Sequence, residues 1–132
     1  MIILGDAGIN FYKGWRDNNV KSYLESMPIT FFCIHGNHEI RAYALDGYVI
    51  ELWNAGSVYV EPAYPSIKFA KDGEIYDLAG KKTLVVGGAY SVDKNYRVAR
   101  GWSWWEDEQP SESIKKQVEA AAEAHNWRID VV

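Results

Sequence analysis

Apolar and polar positions fall into three distinct patterns along the chain, and each pattern predicts a different kind of element. From Ile29 to Ile34 the run is almost continuously apolar, rich in β-branched and aromatic types, which predicts a strand buried on both faces. Ile2-Ile3-Leu4 is a shorter run of the same kind at the start of the chain. Between them, Val20, Tyr23, Leu24 and Met27 fall at i, i+3, i+4 and i+7, predicting a helix from about Trp15 to Met27. Asp17 or Asn18 is placed to cap that helix and Pro28 to end it. Strand, helix and strand at this spacing form a βαβ unit, so the two strands should be parallel neighbours joined by a right-handed crossover.

Beyond Glu39 a short helical turn is expected over Ile40 to Leu45, and then short β-like runs take over. These are Tyr48 to Trp53, Val58 to Glu61, Ile67 to Ala70, Glu74 to Leu78 and Thr83 to Val86. Lys71-Asp72-Gly73 and Ala79-Gly80-Lys81 supply turn chemistry between the last three, which predicts an antiparallel meander forming a second sheet. The stretch carrying Lys94, Arg97 and Arg100 reads as irregular. The clearest helix begins at Ser111, a suitable N-cap followed by Glu112, and carries Ile114, Val118, Ala121, Ala122 and His125 on one stripe. Asn126 is suited to close it in the left-handed conformation, and Ile129 to Val132 reads as a further strand. The expected fold class is α/β, with two packed mixed β-sheets flanked by helices in a single domain over 1–132. Ile3, Leu4, Phe31, Cys33, Ile34 and the helix stripe are its expected core.

Composition narrows the function classes. Hydrophobic residues make up 48% and charged ones 24%, a globular balance rather than a disordered one. A net charge of -4 without any Lys/Arg-rich run gives no dedicated nucleic-acid or anionic-membrane surface. The single Cys33 excludes an internal disulfide and, with no long apolar segment, points to a cytoplasmic setting. Because the chain begins and ends within predicted strands, it is expected to be a fragment. Its exposed sheet edges would favour a homodimer.

Candidate chemistry sits where the two motif strands end. The second runs into Gly36-Asn37-His38-Glu39, the first into Gly5-Asp6-Ala7-Gly8. Open α/β sheets bind ligands outside the carboxyl ends of their strands. A carboxylate on one strand end, with a carboxamide and an imidazole on the next, suits a metal or phosphate site. Either tetrapeptide alone also reads as a turn or a helix start. His35 precedes the turn and reads as structural, and His125 as a hydrogen-bonded helix residue.

Gly5-Asp6-Ala7-Gly8 followed about thirty residues later by Gly36-Asn37-His38-Glu39 resembles the calcineurin-like metallophosphoesterases. The later Gly87-Gly88-Ala89, after an apolar strand, is similar to the same enzymes. The resemblance implies an incomplete version of their αββα sandwich and hydrolysis of phosphomonoesters or phosphodiesters at a dinuclear metal centre. It implies Asp6 and Asn37 as metal ligands and His38 as the catalytic group that protonates the leaving oxygen or stabilises charge on it. Glu39 would orient a neighbour rather than touch metal. The implied cofactor is a divalent ion, manganese ahead of iron, zinc, magnesium or nickel, and the partner a phosphate-ester substrate.

The chain departs from the family pattern in lacking an Asp-x-His before Gly-Asp and a Gly-His-x-His downstream. Its activity is therefore expected to be impaired; a non-catalytic binding or assembly domain is the alternative. Three further features stay open. Gly87-Gly88 reads either as a close approach to the site or as a tight turn. Arg97 and Arg100 read either as ligands for substrate oxygens or as solvated charges balancing Glu106, Asp107 and Glu108. Trp102, Trp104 and Trp105 read as a lid, with base stacking as the alternative.

Overall fold

The computed structural model describes residues 1–132. In chain order the elements are β1 (Ile2–Leu4), α1 (Trp15–Glu25), β2 (Phe31–Ile34), a 3₁₀ turn (Ala42–Ala44), β3 (Val49–Trp53), β4 (Gly56–Val60), β5 (Ile67–Ala70), β6 (Ile75–Leu78), β7 (Lys81–Leu84), α2 (Lys94–Ala99) and α3 (Glu112–Ala124). The fold is α/β, with a five-stranded mixed sheet in the order β1-β2-β5-β4-β3 and a two-stranded β6-β7 sheet. β1 and β2 are parallel neighbours with Ile3 opposite Cys33 and Leu4 opposite Ile34, as the βαβ spacing predicts.

β2 is buried on both faces because its side chains alternate between two cores. Phe31 and Cys33 join Ile9, Ala42, Ile67 and Phe69 on the α1 side. Phe32 joins Val58, Val60, Ala70, Tyr76 and Val85 between the sheets. Gly56 is what lets β6 approach β4: a Cβ there would meet the Tyr76 ring at 2.6 Å. Tyr76 in turn donates its hydroxyl to the Ser57 carbonyl at 2.6 Å, so the buried phenol stays satisfied.

Several expectations are corrected. The meander does not form as one sheet. β5 pairs parallel to β2 and antiparallel to β4, leaving only β6 and β7 in the second sheet. Leu4 is 81% exposed rather than core, because β1 is the end strand of its sheet and nothing covers its outer flank. Ile3 and Ile34 pack only partly buried against the two cores. The final strand reduces to one bridge, Val131 to Thr83. The stretch read as irregular holds α2.

Only half of the predicted α1 stripe turns inward, Leu24 and Met27 packing against the core. Val20 and Tyr23 face outward, while Asp17 and Lys21 are buried. Neither Asp17 nor Asn18 caps the helix: Gly14 holds that position without a side-chain bond. The Asp17 carboxylate instead accepts backbone N–H groups of Phe11, Tyr12 and Lys13, tying down the loop before α1. Lys21 reaches Glu61 at 2.6 Å beside the ring of Tyr48. Burying charge is tolerable only with such partners.

α3 begins and ends as its sequence predicts, but its stripe, expected in the core, joins neither core cluster. Ser111 Oγ accepts from the Ile114 amide at 3.3 Å, Ala122 is buried, Ile114, Val118 and Ala121 are half-buried, and Asn126 is left-handed at φ 52. No helix is long and apolar enough to cross a membrane.

Candidate functional site

β1 and β2 end side by side, so the two glycine turns that follow them touch. Gly5 donates its N–H to the Ile34 carbonyl at 3.0 Å, extending the pairing past β1. Asp6 then takes the left-handed conformation, φ 52, which turns its carboxylate back over the second loop. Gly36 lies directly under it: a Cβ on Gly36 would overlap Asp6 Oδ1 and the Asp6 backbone nitrogen. Only glycine allows this approach. Asp6 Oδ1 accepts the His38 N–H at 3.0 Å, which fixes the second loop to the first.

Glu39 clamps the two loops from beneath. Its carboxylate is 2% exposed and accepts Gly36 N–H at 2.7 Å through Oε1 and Ala7 N–H at 3.2 Å through Oε2. Asp6 and Asn37 line a cavity of about 580 Å³ whose other walls are mostly apolar, from β1, β2, β7 and the chain end. His38 is exposed. Asn37 Nδ2 donates to Ser91 Oγ at 2.8 Å.

The Gly87-Gly88 turn resolves toward close approach. A Cβ on Gly87 would come within 2.8 Å of the His35 carbonyl, and one on Gly88 within 2.6 Å of Arg41 Nη2. Gly88 N–H donates to the His35 carbonyl at 2.7 Å. This packs the post-β7 turn against the loop that carries Asn37. Beneath it lies Arg41, 2% exposed, which donates to the Asp107 and Gly87 carbonyls and pairs with Asp72 at 3.2 Å. Asp72 completes the loop by accepting Gly87 N–H at 2.7 Å.

Neither of the two arginines expected near substrate reaches the cavity wall. Arg97 is buried and donates to the Ser103 carbonyl, with Nη1 left unpartnered, while Arg100 lies beside the Tyr96 ring. The tryptophans spread apart. Trp105 packs edge-on to Phe11, Trp104 bonds Glu108, and Trp102 meets Tyr96. Arg41, Asp72, Ser91 and Glu108 were not legible as site supports. The one hint was an arginine inside the otherwise apolar run Ile40 to Ala42.

With the paired glycine turns and the Glu39 clamp in place, the comparison with known families is decisive. A family model described as calcineurin-like phosphoesterase matches residues 1–129. The chain belongs to that family. Curated proteins and solved structures gave no match. Asp6 Oδ2 and Asn37 Oδ1 take no hydrogen bond from the chain, and both residues line the cavity, which suits one hard divalent cation completed by water. No cluster of three or more His, Cys, Asp or Glu side chains is assembled to hold a metal. His35 stacks on Phe69 with both ring nitrogens buried and unpartnered, and His125 Nδ1 lies 3.1 Å from the Ala121 carbonyl oxygen.

Two buried groups give this phosphoesterase domain a testable pH signature. Burial pushes the Glu39 carboxyl up to about 7; Asp6 adds to the rise, and the two amides and Arg41 oppose it. Protonated Glu39 therefore favours the fold, a contribution fully present below the unfolded value of 4.5 and lost as pH rises through about 7. Burial, aided by Arg41, lowers His35 from 6.5 to about 3. Its contribution has the opposite sign, present above 6.5 and lost as pH falls through about 3. Each is worth on the order of 3–5 kcal/mol. Between pH 4.5 and 6.5 the two slopes oppose, so the wild-type urea midpoint should stay nearly level. Glu39→Gln should make stability rise with pH across that range, and His35→Phe should make it fall. Parallel profiles for all three proteins would show that neither group is shifted.

Proposed function

We propose that this domain holds a divalent cation, manganese ahead of iron, zinc, magnesium or nickel, between Asp6 and Asn37 and acts on phosphate esters there. The observation that carries this reading is the Glu39 clamp, which takes an N–H from each motif loop and so holds together the two loops whose Asp6 and Asn37 line one cavity. When bound, the cation neutralises and polarises a phosphoryl group. The residues do the rest. His38 has its backbone pinned to Asp6 Oδ1 and its ring exposed, which suits it to hand a proton to a leaving oxygen. Arg100 is exposed and retains donors for substrate oxygens, whereas Arg97 is 3% exposed with its unpartnered Nη1 sealed from solvent.

A non-catalytic, cation-binding role is the second reading, favoured by the placement of the other histidines. His35 is sealed against Phe69 and His125 is held by its own helix, so neither supplies a donor beside Asp6. The oxygen pair alone suits loose binding of one ion, and these 132 residues should show little turnover. Assay with Mn²⁺ on 4-nitrophenyl phosphate and its bis ester separates the two. Turnover that disappears in Asp6→Asn supports the enzyme; Mn²⁺ uptake without turnover supports the binding role. The open flank of β1, with Ile2 and Leu4 exposed, further favours a homodimer through that edge. Sedimentation showing only monomer at high concentration would remove that part.

A further inference from the structure

Ser91 is 1% exposed, and its hydroxyl stands between two groups of fixed character. On one side is Glu108, 6% exposed. Its Oε1 accepts Ser91 N–H at 3.3 Å, and its Oε2 accepts the Trp104 indole N–H at 2.8 Å along with the Ser91 hydroxyl. On the other side is the Asn37 carboxamide, 2.8 Å away. We propose that Ser91, oriented by Glu108 and Trp104, is a positioning residue that sets which end of the Asn37 carboxamide faces the cation site. The proposal rests on the reading of Asn37 as a cation donor.

The direction of the hydrogen bonds is forced. An indole N–H and a peptide N–H can only donate, so both Glu108 oxygens accept. Desolvation opposes ionisation of Glu108, but the Ser91 hydroxyl and amide, the Trp104 N–H and Lys94 outweigh it and hold the carboxyl below its ordinary range. An ionised carboxylate has no proton to give, so the Ser91 hydroxyl must donate to it. The Ser91 oxygen then has only lone pairs to offer Asn37. Asn37 must meet it with Nδ2, and Oδ1 is left to the cavity that Asp6 also lines. A flipped carboxamide would set Oδ1 against those lone pairs or pull the serine proton off Glu108.

The backbone holds the relay in place independently of these side chains. Ala89 N–H donates to the Glu108 carbonyl at 3.0 Å, and Gly88 N–H to the His35 carbonyl at 2.7 Å. Ser91 thereby connects the turn after β7 to the Asn37 loop. Partners that orient a ligand without touching metal are typically worth about 10–100-fold in metal affinity.

The test measures Mn²⁺ affinity by electron paramagnetic resonance, and the Asn37 side-chain amide by ¹⁵N NMR without metal. Ser91→Ala should weaken Mn²⁺ binding about 10–100-fold and shift the Asn37 Nδ2 resonance toward that of a solvated amide. Glu108→Gln keeps the shape but can donate to Ser91, so it should move the same resonance and weaken Mn²⁺ as well. It also serves where Ser91→Ala does not fold. A purely structural role would leave the Asn37 resonance in place. Asn37→Ala separates this proposal from its premise. If Asn37→Ala loses Mn²⁺ while Ser91→Ala and Glu108→Gln bind like wild type, the positioning role is overturned and the donor stands. If Asn37→Ala binds like wild type, donor and positioning role fall together.

Discussion

Arg41→Ala should cost the fold about 3–5 kcal/mol, the range for breaking a buried ion pair by removing one partner. The Arg41 side chain is 2% exposed and Asp72's is 9% exposed. Loss of the guanidinium would strand the Asp72 carboxylate, whose ionisation burial already disfavours and which only Gly87 N–H and Arg41 support. It would also leave the Asp107 and Gly87 carbonyls without their donor. Against a total stability of roughly 5–15 kcal/mol, this is a large fraction. Arg41→Met with Asp72→Asn should recover part of the loss, since no charge is then left buried and the carboxamide oxygen still accepts from Gly87 N–H. Urea midpoints for the three proteins check this. A single-variant loss under about 1 kcal/mol would mean that water already solvates the pair.

Gly36→Ala should disable the site more than it disturbs the fold. The added methyl overlaps Asp6 Oδ1 and the Asp6 backbone nitrogen, and backbone cannot swing aside as a flexible side chain can. Relief requires the two loops to part, at about 1–3 kcal/mol of overpacking strain. Parting them breaks the His38 N–H bond to Asp6 and separates the oxygens of Asp6 and Asn37. Mn²⁺ affinity should fall at least about tenfold while far-ultraviolet circular dichroism stays close to wild type. Calorimetric titration against Mn²⁺ reads the first quantity. Unchanged affinity would place the cation away from these loops.

What was legible in the sequence was local. The continuous apolar run of β2, the helical spacing before it and the glycine turns at two strand ends predicted a parallel β1-β2 pair with Asp6 and Asn37 side by side, and they are. Strand pairing beyond the βαβ unit was not legible. The run Ile67 to Ala70 marks a strand, but periodicity carries no information about its neighbour, and β5 joined β2 rather than β6. Leu4 misled for a related reason, since apolar character does not reveal whether another strand lies outside it. On α1 the buried stripe runs through Asp17, Lys21 and Leu24, stabilised by Glu61 and by loop amides that no local pattern announces. The supports of the site, Arg41 with Asp72 and Ser91 with Glu108, likewise join segments far apart in the chain.

The most direct measurement is a Mn²⁺ titration of the wild-type chain and of Asp6→Asn, followed by electron paramagnetic resonance at neutral pH. An oxygen pair with few further ligands should bind with a dissociation constant on the order of 10⁻⁴–10⁻³ M. Asp6→Asn removes the only carboxylate side chain on the cavity wall and should abolish that binding. Wild-type chain that takes up no Mn²⁺, or Asp6→Asn that binds it as tightly as wild type, would mean that these two strand ends do not form the metal site.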